Sequence, residues 1–463
     1  MMNRLSPFLP LLTRVCSSST SATVSGQALR CVPALLRLQL PSSAQVLPDL
    51  TTMTLSALSG VKGKALVAPA LKTITAVLRH AGDTLELTQN QVDALLSFIT
   101  EHVLGGTGVT MQIGALHLLR AIMSRSYSCT GVYDLATHVQ SLLVSSPLES
   151  VQKTATSAFI AFLLSYPMSA KRRTQHLTFL LTNLRCFATP SGRSASAKAL
   201  AAIAKRFPLD ELEKHVGAFL LPLVDCLLND NTSTCRLAAA EAIRALCRRC
   251  RKVMGFAEKW LEGTTTCCAA IQVLSLYVES VDSTQARGVI LQVLPIIKQR
   301  LSVALDAVES LIFRDEPDLK ALESHWPLVH HSLVFVARAL PIVPSIATQL
   351  NSAGDGDGLL IRCALYPHAG VRAQALRVHA CIRTESNDDD KSVSAWSDAL
   401  VTVFRGLDVD SDTEFVELCV TQLTQIVDVL SQRNLTEPLG HVLRRMSMRL
   451  RRETDVFKKV RRW

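Results

Sequence analysis

Aromatic and charged residues are both scarce in this 463-residue chain. Phe, Trp and Tyr make up 5% of the residues and Asp, Glu, Lys and Arg 19%, against 48% hydrophobic residues. Aromatic side chains favour strands, whereas Leu and Ala favour helices. The composition therefore predicts helices that pack through small and medium aliphatic side chains. The low charge and high hydrophobic content also exclude an intrinsically disordered chain.

The sequence lacks the motifs of common catalytic sites. It has no Gly-rich loop ending in Gly-Lys-Ser/Thr, no His-Glu-x-x-His and no nucleophile elbow. Gly105-Gly-Thr-Gly108 has no Lys and follows no predicted strand, so we interpret it as a loop between repeats. His330 and His331 lie in an apolar helical pattern and are predicted to pack. We expect neither enzyme activity nor a cofactor.

Metal-binding patterns are incomplete as well. Cys247-Arg-Arg-Cys250 would need two further zinc ligands, and the adjacent Cys267 and Cys268 are poorly spaced to supply them. The segment that begins at Asp408 starts like a calcium loop but has Thr and Cys where Gly and Glu are required. The 13 cysteines are scattered and show no disulfide framework, which indicates a reducing compartment.

Acidic residues are missing from the first 48 positions, where four arginines occur: Arg4, Arg14, Arg30 and Arg37. An Arg- and Ser-rich start without acids is typical of a mitochondrial transit peptide. The same stretch also fits the two helices of a repeat, at 5–12 and 28–38. Both interpretations stay open on the sequence alone. No run is long and apolar enough to predict a transmembrane segment, since the best candidate, between Lys153 and Lys171, contains Pro167.

A helix–turn–helix pattern recurs along the chain. One unit has an apolar helical stretch at 219–228, a turn rich in Asn, Asp and Thr at 229–234, and an alanine-rich helix at 235–246. Alanines on the second helix repeat at Ala155, Ala197 and Ala238, which are 42 and 41 residues apart. Ala28, Ala70 and Ala115 are spaced by 42 and 45 residues. HEAT and armadillo repeats have this period, so the sequence predicts an all-α, HEAT/armadillo-like α-solenoid of stacked helical hairpins.

The period predicts four regions. Residues 1–260 form regular HEAT-like repeats, and 261–350 form longer, irregular helices of the same solenoid, including one bounded by Pro327 and Pro341. Further repeats follow at 351–440, with polar loops at 351–358 and 384–391. A basic C-terminal helix is predicted at 441–463.

Basic residues are concentrated at the C-terminal end. The segment 441–463 has nine Lys and Arg against two acids, so it carries +7 of the net charge of +10. Its apolar residues fall near helical spacing, which would let it dock one side and present cations outward. We predict contact with RNA phosphates, with a solvated last helix and a nuclear import signal as the alternatives. The candidate residues are Arg444, Arg445, Arg449, Arg451, Arg452, Lys458, Lys459, Arg461 and Arg462.

A second basic patch follows the helix at 235–246. It contains Arg248, Arg249, Arg251 and Lys252 and is a further candidate for RNA contact, although a helix C-terminus favours cations in any case. Other cations stand at the start of second helices: Lys153, Lys198, Arg236 and Arg372. These are predicted mainly to pair with acids near the preceding turn, for example Arg236 with Asp225 or Asp230, and the alternative is that some of them face RNA phosphates.

The sequence resembles the C-terminal part of the U3 small nucleolar RNA-associated protein 20 family, also called down-regulated in metastasis. The resemblance rests on many modest matches in order: Phe219-Leu-Leu-Pro-Leu-Val224, Leu228-Asn-Asp230, Thr234-Cys-Arg236, Lys259-Trp260, Tyr277-Val-Glu-Ser280, Val293-Leu-Pro-Ile-Ile297, Tyr366-Pro-His-Ala-Gly-Val371, the stretch 415–429 and Val442-Leu-Arg-Arg-Met-Ser447. It covers nearly the whole chain and is weakest near 300–330 and 380–400.

The resemblance implies a nucleolar scaffold of the small-subunit processome. Such a scaffold would hold processome proteins, pre-ribosomal RNA and U3 small nucleolar RNA, with no membrane, no small-molecule substrate and no chemistry of its own. Family members are several times longer, so we expect the chain to be a fragment or a split gene product. An importin-like protein adaptor and a mitochondrial helical-repeat RNA-binding protein remain as alternatives.

Overall fold

A computed structural model describes residues 5–385, except for 19–20, 60–63, 81–84, 105–107, 126, 128, 313–318, 352–358 and 365, and beyond them only Thr421 and Thr424. Within these residues the chain is all α-helical and contains no strand. It forms two compact units, residues 1–245 and 246–463. The predicted loops at 351–358 and 384–391 lie largely outside the described residues, and the basic helix at 441–463 lies wholly outside them.

The chain forms six helical hairpins between Phe8 and Cys247. Their helices are α1 (Phe8–Ser18), α2 (Ala22–Leu36), α3 (Ser43–Leu58), α4 (Val67–His80), α5 (Gln89–Leu104), α6 (Val109–Ser124), α7 (Thr130–Ser145), α8 (Glu149–Ser165), α9 (Ala170–Cys186), α10 (Pro190–Arg206), α11 (Leu209–Asn229) and α12 (Ser233–Cys247). The second helices stack in sequence, α2 on α4, α4 on α6, α6 on α8 and α8 on α10.

The alanine period coincides with this stack. Each of the six alanines used to find the period lies on a second helix and is buried: Ala28, Ala70, Ala115, Ala155, Ala197 and Ala238. A methyl side chain allows neighbouring second helices to approach closely, while Leu and Ile on either side fill the remaining space. Stacking thus buries an apolar face that one hairpin could not cover alone.

The second unit continues with longer helices. They are α13 (Lys252–Glu262), α14 (Cys267–Ser280), α15 (Ser283–Ile312), α16 (Leu319–Ala339), α17 (Ile346–Asn351), α18 (Leu359–Ala364) and α19 (Ala369–Glu385). Here α14 packs on α13 and α16, α16 packs on α15 and α19, and α18 packs on α19. The same rule of stacked second helices therefore holds for α14, α16 and α19.

Proline was a misleading boundary signal in this chain. Pro327 was expected to begin a helix, but α16 begins at Leu319 and contains it. Pro222 and Pro295 likewise lie inside α11 and α15. A proline removes one backbone hydrogen bond from a helix. Packing along the rest of these 21- and 30-residue helices offsets that loss.

One helix, α15, has the length and composition of a candidate membrane span. The stretch Ser283–Leu311 has a mean hydropathy of 1.4 in its most apolar window. In this structure α15 packs against α14 and α16, with Ile290, Val293 and Ile297 buried. Near its end Asp306 and Glu309 form ion pairs with Arg362 of α18. These contacts hold α15 in the stack, with 39% of its most apolar window buried.

Glycine at position 192 permits a close contact between hairpins. Thr189 caps α10 by accepting a hydrogen bond from the Gly192 N–H at 3.3 Å, so Gly192 lies in the first turn of the helix. A Cβ on Gly192 would lie 2.7 Å from the carbonyl oxygen of Val144 in α7 and closer still to the Phe187 ring. A Cβ on Gly255 in α13 would instead meet no other atom within 4 Å.

We expect these two glycines to respond oppositely to alanine. Gly192→Ala should lower the free energy of unfolding by about 1–3 kcal/mol, because backbone must move to relieve the overlap. Gly255→Ala should raise it by about 0.5–1 kcal/mol, because alanine favours a helix and meets no neighbour. Urea unfolding of the full chain measures both. Equal effects from the two variants would contradict the close contact at Gly192.

Candidate nucleic-acid interface

The predicted basic patch lies on a tight turn. α12 ends at Cys247, the chain turns through Arg248–Arg251, and α13 begins at Lys252. The amide N–H groups of Arg249 and Cys250 both donate to the Leu246 carbonyl, at 3.1 and 2.8 Å, which closes the end of α12.

The side chains on this turn divide into buried cysteines and cations that are exposed or half-buried. Cys247 and Cys250 are buried, whereas Arg248, Arg251 and Lys252 are exposed and Arg249 is half-buried. The four predicted cations are therefore brought together, and three of them face solvent. They can contact a phosphate backbone, and the C-terminal dipole of α12 also favours positive charge here.

The surroundings of this turn are not uniformly positive. Burial raises the pKa of Tyr277, and the charge of Arg251 opposes that rise while Asp282 adds to it. Asp282 caps α15 by accepting hydrogen bonds from the amides of Thr284 and Gln285 at 3.1 and 3.0 Å. Tyr277 is thus influenced both by a cation of the patch and by the fixed carboxylate of Asp282.

The cations at the start of second helices mostly close turns. The Arg236 and Arg372 guanidinium groups each donate to the backbone carbonyl six residues earlier, at 2.7 and 2.8 Å. Arg193 and Gln152 do the same in their own hairpins, at 3.0 and 2.8 Å. The expected pairing of Arg236 with an aspartate carboxylate is therefore wrong, because Arg236 binds the Asp230 main chain.

The Asp230 carboxylate is bound instead by Arg193 of the preceding hairpin. The Arg193 Nε and Nη2 atoms donate to the two carboxylate oxygens at 2.7 and 3.1 Å. A polar cleft of about 270 Å³ beside this contact is also lined by Arg185 and Asp225, which pair at 3.2 Å. Since each arginine is matched by an aspartate, this cleft does not favour an anionic ligand.

Several buried cysteines and histidines in the described part of the chain have pKa shifts that favour their neutral forms. Burial raises the pKa of Cys226 and Cys363 to about 12, so their reactive thiolate forms are disfavoured. Burial lowers the pKa of His331 to about 4 and also lowers that of His330, so both imidazoles are neutral near pH 7. Among the described residues no group of three or more His, Cys, Asp or Glu could hold a metal ion. The calcium-like segment and the basic C-terminal helix lie outside those residues.

Comparison with known proteins places the sequence beside one family. No family model matches the chain. The chain is 24% identical over 415 residues to the U3 small nucleolar RNA-associated protein 20 of Saccharomyces cerevisiae, which covers 87% of the chain. The predicted resemblance to this family is confirmed. The Schizosaccharomyces pombe protein of the same name is 24% identical over 253 residues, or 53% of the chain. These matches span 16% and 10% of the two yeast proteins' own lengths.

Solved structures confirm the fold class. The karyopherin Kap121p bound to Ste12p superposes with a TM-score of 0.52 at 14% identity and covers 93% of this chain and 44% of its own. Kap121p bound to the SUMO protease Ulp1p gives 0.53 at 13% identity, over 96% and 45%. The predicted all-α, HEAT/armadillo-like solenoid is therefore confirmed. Identity at this level shows the fold alone.

Proposed function

We propose that this chain is a structural scaffold of the small-subunit processome. It would support 18S pre-rRNA processing and small ribosomal subunit biogenesis by binding processome proteins, pre-rRNA and U3 small nucleolar RNA in the nucleolus. The observation that carries the proposal is the ordered similarity over 415 residues to a U3 small nucleolar RNA-associated protein. The stacked hairpins support it, because such a stack offers a long binding surface without a catalytic centre.

The proposal is tested by the RNA that accompanies the protein. The endogenous protein, tagged at its C-terminus, is purified in mild salt and the bound RNA is sequenced. Enrichment of U3 small nucleolar RNA and of pre-rRNA around the small-subunit region is the expected result. RNA at background level, with stable protein partners, would overturn the proposal in favour of a protein-binding adaptor. A cleaved N-terminus on import would favour the mitochondrial alternative.

The basic C-terminal segment has its own prediction. Exchanging five arginines there for alanine should reduce the dependence of RNA affinity on salt, because each lost phosphate contact lowers the slope of log affinity against log salt by about 0.7 for single strands. The exchanged residues are Arg444, Arg445, Arg449, Arg451 and Arg452. The variant with lysine at the same five positions is the matched control, since it keeps the charge. An unchanged slope in the alanine variant would show that this segment does not bind phosphate.

A further inference from the structure

Cations converge at the ends of three consecutive second helices in the first unit. Arg37 directly follows α2, Arg79 and His80 form the last turn of α4, and His117 and Arg120 lie in the second half of α6. Because α2 packs on α4 and α4 on α6, these ends are neighbours. Arg79 Nη2 lies 3.5 Å from His117 Nδ1, and Arg120 Nη1 donates to the Ser157 hydroxyl at 2.9 Å.

The three arginines Arg37, Arg79 and Arg120 are close enough to repel one another. The pKa of Arg79 is lowered by burial and then by the charges of Arg120 and Arg37. Burial and the two arginines Arg79 and Arg120 also lower the pKa of His117, which is therefore neutral near pH 7. In the part of the chain that the structure describes, no carboxylate pairs with any of these side chains. Among the described residues the cluster therefore holds like charges together without a counterion.

On a later second helix, α10, two lysines pair with carboxylates. Lys205 at the end of α10 pairs with Glu241 of α12 at 2.9 Å, and Lys198 lies 3.8 Å from Glu149 of α8. A helix dipole favours one cation at each C-terminus. It does not account for arginines from three helices meeting at one place. The first three second helices differ because α2, α4 and α6 contain no Asp or Glu.

The cluster extends into a row along these helices. Arg30 and Lys72 lie two helical turns before Arg37 and Arg79, on the same face, and both are exposed. The spacing is the repeat period, since 42 residues separate Arg30 from Lys72 and Arg37 from Arg79. We call the five cations the cationic row: Arg30, Arg37, Lys72, Arg79 and Arg120.

The chemistry of the row selects the kind of partner. Guanidinium groups match phosphate oxygens with two hydrogen bonds, which ammonium groups cannot do. The sequences of α2, α4 and α6 contain no Phe, Trp or Tyr. Base stacking and the aromatic anchors common in protein interfaces are therefore both missing from these helices. The partner that suits these helices is therefore the phosphate backbone of a nucleic acid.

We propose that the cationic row binds the phosphate backbone of RNA without regard to base sequence. The choice of RNA among polyanions rests on the proposed function, but the row itself is assigned from its charge and geometry. It is separate from the basic turn at 248–252 and from the C-terminal segment. Bound phosphates would supply the missing counterions and relieve the repulsion between Arg37, Arg79 and Arg120.

The test is a salt titration with the full chain. Affinity for a fluorescent single-stranded oligouridine is measured between about 50 and 200 mM salt for the variant with Arg37→Gln, Arg79→Gln and Arg120→Gln. We expect the slope of log affinity against log salt to fall by about 2 if each arginine meets one phosphate. The same three positions changed to lysine should keep most of the slope. Lys205→Gln, which removes a cation already paired with Glu241, should leave it unchanged.

Two further readouts make the result decisive. Thermal unfolding of the glutamine variant should occur at an unchanged or higher temperature, because the repulsion between the arginines has been removed. A loss of RNA binding in this variant would then not be caused by unfolding. An unchanged slope would overturn the row as an RNA site. Equal loss of binding to polyglutamate would overturn it in favour of an acidic protein. If purified cell complexes lack U3 small nucleolar RNA while the row still binds oligouridine, the proposed function fails and the row stands.

Discussion

Replacing Asp230 with alanine is expected to lower the free energy of unfolding by about 3 kcal/mol. The Asp230 side chain is only 6% exposed, and that of Arg193 is 17% exposed. Besides two hydrogen bonds from Arg193, the carboxylate accepts bonds from the Thr232 amide and hydroxyl, at 2.9 and 2.6 Å. The alanine variant leaves a partly buried guanidinium without its counterion and removes the cap of the turn before α12.

A matched control lies on the same face. Asp225 pairs with Arg185 at 3.2 Å, but the two side chains are 43% and 60% exposed. Exposed ion pairs contribute between zero and about 1 kcal/mol. Asp225→Ala should therefore change stability by less than 1 kcal/mol. Urea unfolding together with hydrogen exchange of the α10 and α12 amides measures the difference. Similar effects at the two aspartates would refute a special role for Asp230.

The same contact predicts a pH dependence. Hydrogen bonds from Arg193 hold the pKa of Asp230 well below its ordinary range, although burial opposes them. A carboxyl with a depressed folded pKa stabilises the protein above its unfolded pKa of about 4, and this stabilisation is lost as the pH falls towards the folded value. The free energy of unfolding should thus fall below about pH 5 more steeply in the unaltered chain than in the Asp230→Ala variant.

The repeat architecture could be predicted because it is written in local patterns. Alanine spacing, polar turns and helical periodicity each lie within about 40 residues, and all six alanines occupy the predicted second helices. Proline was the exception, since Pro327 lies inside α16. A sequence rule for proline describes a lost hydrogen bond, whereas the helix also gains stability from neighbours that the local sequence does not show.

Side-chain contacts between different hairpins could not be predicted from such local patterns. Asp230 was identified as an acid of the turn, but Arg236 was the nearest cation and Arg193 lies 37 residues away. The cationic row was missed for a related reason. Arg30 and Lys72, like Arg37 and Arg79, are 42 residues apart, which is the alanine period rather than a local pattern. Comparing charges at that period reveals the row, whereas the 37-residue step from Arg193 to Asp230 falls outside it.

Phe162→Ala is expected to cost about 3–5 kcal/mol, because it removes the centre of an aromatic cluster in the first unit. Phe162 is fully buried in α8. Its ring centroid lies 5.6 Å from Tyr166, 6.0 Å from Tyr133 and 5.4 Å from His176, so the cluster joins α7, α8 and α9. The Tyr166 hydroxyl in turn accepts from the Cys129 amide at 2.8 Å and donates to the Tyr127 carbonyl at 2.8 Å.

Two variants separate aromatic packing from loss of volume. Phe162→Leu keeps most of the volume and should cost about 1–2 kcal/mol. Leu221→Ala removes an aliphatic side chain that is 61% exposed and should stay within about 0.5 kcal/mol of the unaltered chain. Hydrogen exchange should report faster opening in α7, α8 and α9 for Phe162→Ala, with smaller effects further along the stack, because each hairpin is stabilised by its neighbours. Equal exchange throughout the first unit would instead show that its hairpins unfold together. If the proposed scaffold binds along several hairpins, opening at this cluster would divide its binding surface between the cationic row and the later repeats.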